Sequence, residues 1–394
     1  MYESVSRSVS TNISDAMALL DTIIDDDIAI SPQRIVDKPL VLYGAGNLGR
    51  MAKEYLDFLG IPVALVVDTN ARRIEQDSFW SEIPMVVPED APRKFMQRAM
   101  LAVCVVTTPY SPLVRQLAEQ GWQDIVPFYD VAEAYRGRHP LENGWYVNGF
   151  DGGNRMKIRQ IMRGWADATS RAHYLQFIAW RRLRQEWVFA NAPINCSDRF
   201  LIPEVISALP TEMTFLDAGA HHGEVSRSLM ELRPRFQEML LVEPDSDSFL
   251  RINKWCGTLE ETVRSRMTVH RCALGAGAGI ERFCDGFGYS SKLCPSGEVD
   301  VSVKAVDDFD CSASYIKMHL EGGEMQALLG AKKMINACHP IVAMTSYHNE
   351  LGIVDLPYHL IFETVSCKET YKFYFRLHSW GGVGSVIYAV PQEL

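Results

Sequence analysis

The chain has 394 residues, 47% of them hydrophobic and 22% charged, the balance of an ordinary globular protein with enough apolar material for real cores. Its net charge of −10 offers no overall attraction to nucleic acid or to an anionic membrane, and neither is expected as a partner. No apolar run approaches the ~20 residues of a membrane helix. The start, MYESVSRSVSTNISDAMALL, does not read as a secretory signal, because no basic segment precedes an apolar one. Nine cysteines (Cys104, Cys196, Cys256, Cys272, Cys284, Cys294, Cys311, Cys338 and Cys367) form no C-x-x-C pair, which predicts reduced thiols and a cytoplasmic location. Length predicts two or three domains of about 150 residues each.

Residues 1–37 read as an N-terminal helical segment, with an amphipathic helix from Ala16 to Ile24, an acidic run from Asp25 to Asp27 and a proline-containing linker. The acidic run is expected to be a solvated face.

Residues 38–133 read as a Rossmann-like domain. PLVLYGAGNLGR is a strand followed by Gly44, Gly46, Asn47 and Gly49 in G-x-G-x-x-G spacing, then a helix with Met51, Tyr55, Leu56 and Leu59 on one face. The next strand closes on Asp68, where an acidic residue can bond a ribose. Met100 to Thr107, a helix from Pro112 to Gln120 and DIVPFYD complete a half-Rossmann pattern. Two readings stay open: a second nucleotide site, or glycines that only let strand and helix pack closely. Asp68-x-Asn70 and the following I-P-M-V-V-P-E turn resemble small Rossmann-like modules found beside sugar-modifying transferases.

Residues 134–196 read as a helical connector. Between Arg155 and Trp187 it carries eight Lys or Arg against two acids, interleaved with Trp165, Tyr174, Phe177, Trp180 and Trp187. Such a helix suits an anionic partner, or it packs its aromatic residues between domains.

Residues 197–394 hold the most informative stretch, TFLDAGAHHGE. A short strand runs into Asp217, then a turn on Gly219 and Gly223, then a helix start. Strand, glycine turn and helix N-terminus let backbone N–H groups approach a nucleotide, and the D-x-G-x-x-x-G spacing points to S-adenosyl-L-methionine rather than a dinucleotide. The strand EMLLV ends at Glu243-Pro244, where a carboxylate can accept both hydroxyls of a ribose. MTVHR leads to Cys272-Ala273, placed for the adenine edge. A β-rich insertion follows, then YIKMHL, Glu321-Gly-Gly-Glu324 and a helix. PIVAMTSYH, YKFYFRLHS and GSVIYAVP complete the sheet, with the last pair antiparallel.

Four of these segments together resemble the FkbM family of S-adenosylmethionine-dependent methyltransferases: FLDAGAHHGE, LLVEPD, V-D-D-F through I-K and E-G-G-E, and SYH through RLH. The resemblance implies an α/β chain of two Rossmann-like doubly wound parallel sheets, the C-terminal one a class I methyltransferase sheet with an antiparallel terminal hairpin. It implies O-methylation of a hydroxyl, commonly on a sugar or polyketide. Asp217, Gly219, Ala220, His222 and Gly223 would then line the cofactor's amino-acid end, Glu243 and Pro244 its ribose, and Cys272 and Ala273 its adenine. The chain departs from the family at His221-His222, where Asn is usual, and at His319, where I-K-x-D-x-E-G-x-E has Asp.

An acceptor alcohol needs a positioned base, and histidine suits neutral pH. His319 and His348, at the carboxyl ends of two strands, are the candidate bases, with Glu321 and Glu324 orienting them or the acceptor. His319, Glu321, Glu324 and His348 could also surround an inner metal, but the E-G-G-E spacing matches no metal signature, and none is expected. The expected function is methyl transfer to a sugar, glycan or related small molecule, in a chain whose oligomeric state stays open. The alternatives are a non-catalytic nucleotide-sensing or scaffolding protein and an NAD(P)-dependent sugar-modifying enzyme.

Overall fold

The computed structural model describes residues 2–392 except 9–11, 27–32, 75, 139–140, 142–145, 148, 234, 288–290 and 367–369. Asp27 of the acidic run and Cys367 therefore lie outside the described residues. After a short strand β1 (Glu3–Arg7) and a helix over Ile13–Ile24, five strands build the first sheet. They are β2 (Leu40–Tyr43), β3 (Val63–Val67), β4 (Met85–Val86), β5 (Met100–Val103) and β6 (Ile125–Pro127), all parallel in the order β4-β3-β2-β5-β6. LVLY and MLAV are buried throughout, as strands covered on both faces must be. The helix Asn47–Leu59 lays Leu48, Met51, Ala52, Tyr55, Leu56 and Leu59 on this sheet.

The connector is an internal wedge, which decides between its two readings. Its helix Ala168–Leu183 buries Tyr174, Phe177 and Trp180, and the strand β7 (Gln185–Phe189) that follows pairs in parallel with β1. Its charges are used inside the chain. Arg155 and Arg159 meet Asp25 at 3.2 Å, and Arg159 also meets Asp21 at 2.9 Å. The buried Arg181 donates to the backbone carbonyls of Gly382, Asn349 and Tyr347, so one side chain ties two loops of the C-terminal half to the connector.

The second sheet begins with β8 (Thr214–Ala218), β9 (Glu238–Val242) and β10 (Met267–His270). Four strands are then inserted as a separate small sheet: β11 (Ala273–Leu274), β12 (Gly279–Cys284), β13 (Lys292–Leu293) and β14 (Val299–Lys304). The main sheet resumes with β15 (Tyr315–Met318), β16 (Ile341–Thr345), β17 (Tyr371–Leu377) and β18 (Ser385–Pro391), giving the order β10-β9-β8-β15-β16-β18-β17. The first five are parallel, and β18 runs antiparallel to both neighbours. Trp165, Tyr174 and Phe177 of the connector surround Phe375 of β17 at ring distances of 5.3–5.5 Å. One apolar core runs from Leu20 through Phe128 and Phe177 to Phe375 and Ile387, so both sheets share it. Among the described residues, no helix is long and apolar enough to cross a membrane.

Candidate active site

The stretch after β8 turns on Gly219, whose φ is +72°. The N–H groups of Gly219 and Ala220 both donate to the Val242 carbonyl at the end of β9, at 2.9 and 3.1 Å. A Cβ on Gly219 would overlap the His319 carbonyl oxygen beyond β15. Gly219→Ala therefore adds left-handed strain, roughly 1–3 kcal/mol from the backbone alone, to a direct clash. The expected result is a lowered melting temperature together with loss of adenosyl-ligand binding.

Asp217 lies at the end of β8 but does not line the cavity beside this turn. It is fully buried, with Oδ1 2.8 Å from the Lys317 ammonium and Oδ2 accepting the Ser226 hydroxyl at 2.7 Å. Strand register puts Lys317 of β15 directly opposite Asp217, and Lys317 also donates to the carbonyls of Ala218 and Gly219. Asp217 thus holds the turn from beneath, and Lys317 is the member of the pair that reaches the cavity.

That cavity, of about 320 Å³, lies along the carboxyl ends of β10, β9, β8 and β15. Gly219, Ala220, Glu243, Pro244, Cys272 and Ala273 line it, as do His319 and Glu321. His222 and Gly223 are not among the lining residues. The His222 ring stacks on His221 at 3.7 Å, and Gly223 caps the helix Glu224–Leu232. His221 and Glu224 of the same turn are the ones that face the cavity.

Glu243 is 7% exposed and accepts one backbone N–H on each oxygen, from His221 at 2.7 Å and Asp245 at 2.9 Å. Burial raises its carboxyl to about 7, against the opposing pull of those two bonds. Each oxygen keeps a further lone pair for a hydroxyl donor.

At the far end of the cavity His319, Glu321, Glu324 and His348 are brought together. His319 Nε2 lies 3.1 Å and His348 Nε2 3.3 Å from the same oxygen, Glu321 Oε1. His348 Nδ1 donates to Glu324 Oε1 at 2.6 Å, and Thr345 Oγ1 donates to that same oxygen at 2.6 Å. Glu324 also accepts the N–H groups of Leu320 and Gly322, at 2.9 and 3.0 Å. The backbone places Glu321 in the left-handed region, at φ +48°, to aim its carboxylate between the two rings.

The electrostatics separate the four groups. Burial, reinforced by the Arg199 guanidinium, lowers His319 to about 3, so its ring is neutral. Burial also opposes charge on His348, but Glu321 and Glu324 override it and hold the imidazolium well above its ordinary range. His348 and Glu324 are both buried, and neither is among the cavity-lining residues. His348 is thus set back from the cavity, with Nδ1 on Glu324 and Nε2 facing Glu321. Desolvation opposes ionisation of both carboxylates, yet His348 beside them draws them down, Glu324 to about 2 and Glu321 well below the usual carboxylate range.

No protein-family model matches the sequence, and no curated protein matches it. Among solved structures, the chain superposes on the crystal structure of the methyltransferase FkbM from Methylobacillus flagellatus KT with a TM-score of 0.60. Identity is 18%, over 96% of this chain and 99% of that one. The chain has a methyltransferase fold. The likeness takes in the first sheet and the connector as well as the second sheet. A precorrin-6y C5,15-methyltransferase from Geobacter metallireducens GS-15 matches over 52% of this chain and 96% of its own at 10% identity, but its TM-score of 0.30 carries no argument.

Several residues at the site of this methyltransferase fold had no motif to announce them. Arg199 and Phe200 precede β8, and Phe283 and Leu293 are register partners on β12 and β13. The insertion thus supplies an apolar wall beside Cys272 and Ala273. It is tied down where Asp245 accepts the Gly286 N–H and the Ser291 hydroxyl, both at 2.9 Å. Lys317 could have been read from the sequence, since one lysine inside an otherwise apolar strand needs a buried counter-charge.

The first glycine motif is built for packing. A Cβ on Gly49 would overlap the Gly44 carbonyl, so helix and turn touch there. Gly46 caps the helix that begins at Asn47. Asp68 accepts the Ala45 N–H at 2.7 Å and the Asn70 N–H at 2.6 Å, which holds the turn closed. The expected second nucleotide site finds no support in this arrangement.

Proposed function

We propose that the chain is an S-adenosylmethionine-dependent O-methyltransferase of the FkbM kind, acting on a hydroxyl of a sugar, glycan or related small molecule. The observation that carries this reading is one cavity that joins Glu243 at one end to the His319–Glu321 pair at the other. The residues fit the adenosyl group. Glu243 retains two lone pairs for a diol, the Gly219 cradle excludes any side chain, and the volume lies within the usual range for small-molecule sites. Lys317, which lines the cavity, offers positive charge for a carboxylate.

When bound, the cofactor supplies a methyl group already activated on a sulfonium. The chain must then hold the acceptor hydroxyl and remove its proton. Glu321, ionised and 18% exposed at the cavity wall, is the group for this. A carboxylate of depressed basicity suffices, because a hydroxyl oxygen gaining a carbon bond becomes far more acidic than a carboxylic acid. His319, neutral and 3.1 Å away, orients the Glu321 carboxylate.

Glu243 makes the reading testable through pH. Between the ordinary carboxyl value of 4.5 and about 7, the folded chain keeps a proton that the unfolded chain has released. Its effect on stability is therefore most favourable below that window and declines as pH rises through it. Accepting two ribose hydroxyls favours the ionised form, so ligand affinity runs the opposite way. S-adenosylhomocysteine should bind about tenfold more tightly at pH 8 than at pH 6, and Glu243→Gln should remove that dependence and weaken binding at least about tenfold. Titration calorimetry checks both, and a wild-type chain that binds no adenosyl ligand sinks the proposal. Screening sugar and nucleotide-sugar acceptors with a labelled methyl donor tests the acceptor class.

A further inference from the structure

His348 Nε2 is a ring nitrogen buried with no hydrogen-bond partner, on a side chain 2% exposed. It sits 3.3 Å from Glu321 Oε1 without the alignment of a hydrogen bond. Leaving such an atom unpaired costs about 1–3 kcal/mol. Its other nitrogen is fixed by Glu324, which is itself held by Thr345, Leu320 and Gly322. A carboxylate that takes the Nδ1 proton is how proteins orient an imidazole whose Nε2 binds a metal.

We propose that His319 Nε2, His348 Nε2 and Glu321 Oε1 bind one divalent transition-metal ion, whose open position takes the hydroxyl oxygen of the acceptor. The role of the open position rests on the methyltransferase reading; the ion site itself does not. The three ligand atoms lie within 4.8 Å of one another, with edges of 3.1 and 3.3 Å to the carboxylate oxygen. Ligands about 2.0–2.1 Å from a tetrahedral ion stand about 3.3–3.4 Å apart, close to the two edges at the carboxylate oxygen. Two imidazoles and one carboxylate select zinc, manganese, iron, cobalt or nickel over magnesium or calcium, which prefer oxygen. Three protein ligands leave a position open, and His319 and Glu321 both line the cavity, so that position faces it. There an ion would hold a hydroxyl oxygen and polarise its O–H bond. The acceptor would then be anchored beside the Gly219 turn, because β15 carries His319 directly alongside that turn.

A second group, His221, His222 and Glu224, also clusters, but it is more exposed and Glu224 pairs with both rings at 3.4 and 3.5 Å. It serves as the internal control.

The test is a cobalt(II) titration of chelator-stripped full chain, followed by visible absorption, with zinc as competitor. One ion per chain with the d–d bands of a four- or five-coordinate site is expected, displaced by zinc. His319→Gln and His348→Gln should each abolish the bands, Glu324→Gln should weaken binding about 10–100-fold, and His222→Ala should leave it unchanged. Circular dichroism and S-adenosylhomocysteine titration of each variant show whether it is folded. A chain that binds S-adenosylhomocysteine but gives no cobalt bands overturns the ion site and leaves the methyltransferase reading standing. Bands that survive both histidine substitutions, or vanish with His222→Ala, overturn the assignment of ligands. Cobalt binding as described in a chain that takes no adenosyl ligand supports the ion site and counts against the methyltransferase reading alone.

Discussion

Glu321→Gln lowers the rate of methyl transfer roughly 10²–10⁴-fold, the usual worth of a positioned proton acceptor, while S-adenosylhomocysteine binds within about twofold of the wild type. The substitution keeps the shape of the side chain and removes only its charge. The carboxylate oxygen Oε1 meets both His319 and His348, so the amide must turn an N–H toward one ring or lose a contact. His319→Gln should reduce turnover less, because His319 orients the carboxylate rather than receiving the proton. Single-turnover measurements with labelled methyl donor separate the two. Equal loss of turnover and cofactor affinity in Glu321→Gln would show that the residue shapes the pocket instead.

Asp217→Ala is expected to cost about 3–5 kcal/mol of stability, the penalty for stranding a buried charge. Its partner Lys317 is 2% exposed and has only the carbonyls of Ala218 and Gly219 left to bond. The double substitution Asp217→Leu with Lys317→Met should recover much of that loss, since two apolar residues need no pairing. Chemical denaturation followed by tryptophan fluorescence reads both. A loss below about 1 kcal/mol in the single variant would mean that water reaches Lys317. Cofactor affinity should fall in both variants, because the Lys317 ammonium supports the Gly219 turn and faces the cavity.

Much of the architecture was legible because it repeats at short range. Continuous apolar runs such as LVLY, VALVV and EMLLV could only be strands covered on both faces. The glycine turns sat between strand and helix, and the terminal hairpin followed from the family resemblance and two strand-like runs close together in the chain. The small β4 was missed because two residues, Met85 and Val86, carry no period. The connector was ambiguous for a different reason. Its basic residues look alike whether they face solvent or Asp21 and Asp25, which lie more than a hundred positions away.

The site divides in the same way. Gly219, Glu243 and Cys272-Ala273 each end a strand of one parallel sheet, and chain order alone put them at its carboxyl edge. His319, Glu321, Glu324 and His348 were also placed there by sequence, as a loose group without assigned contacts. Only the tertiary structure decided that Glu321 bridges two imidazoles, that Glu324 claims His348, and that Asp217 belongs to Lys317 rather than to a ligand. Strand position is a local property, set by hydrophobic period and turn chemistry. Which carboxylate meets which ring depends on the pairing of β8 with β15 and β15 with β16, strands about a hundred and about twenty-five residues apart, and on burial that makes each unpaired charge costly.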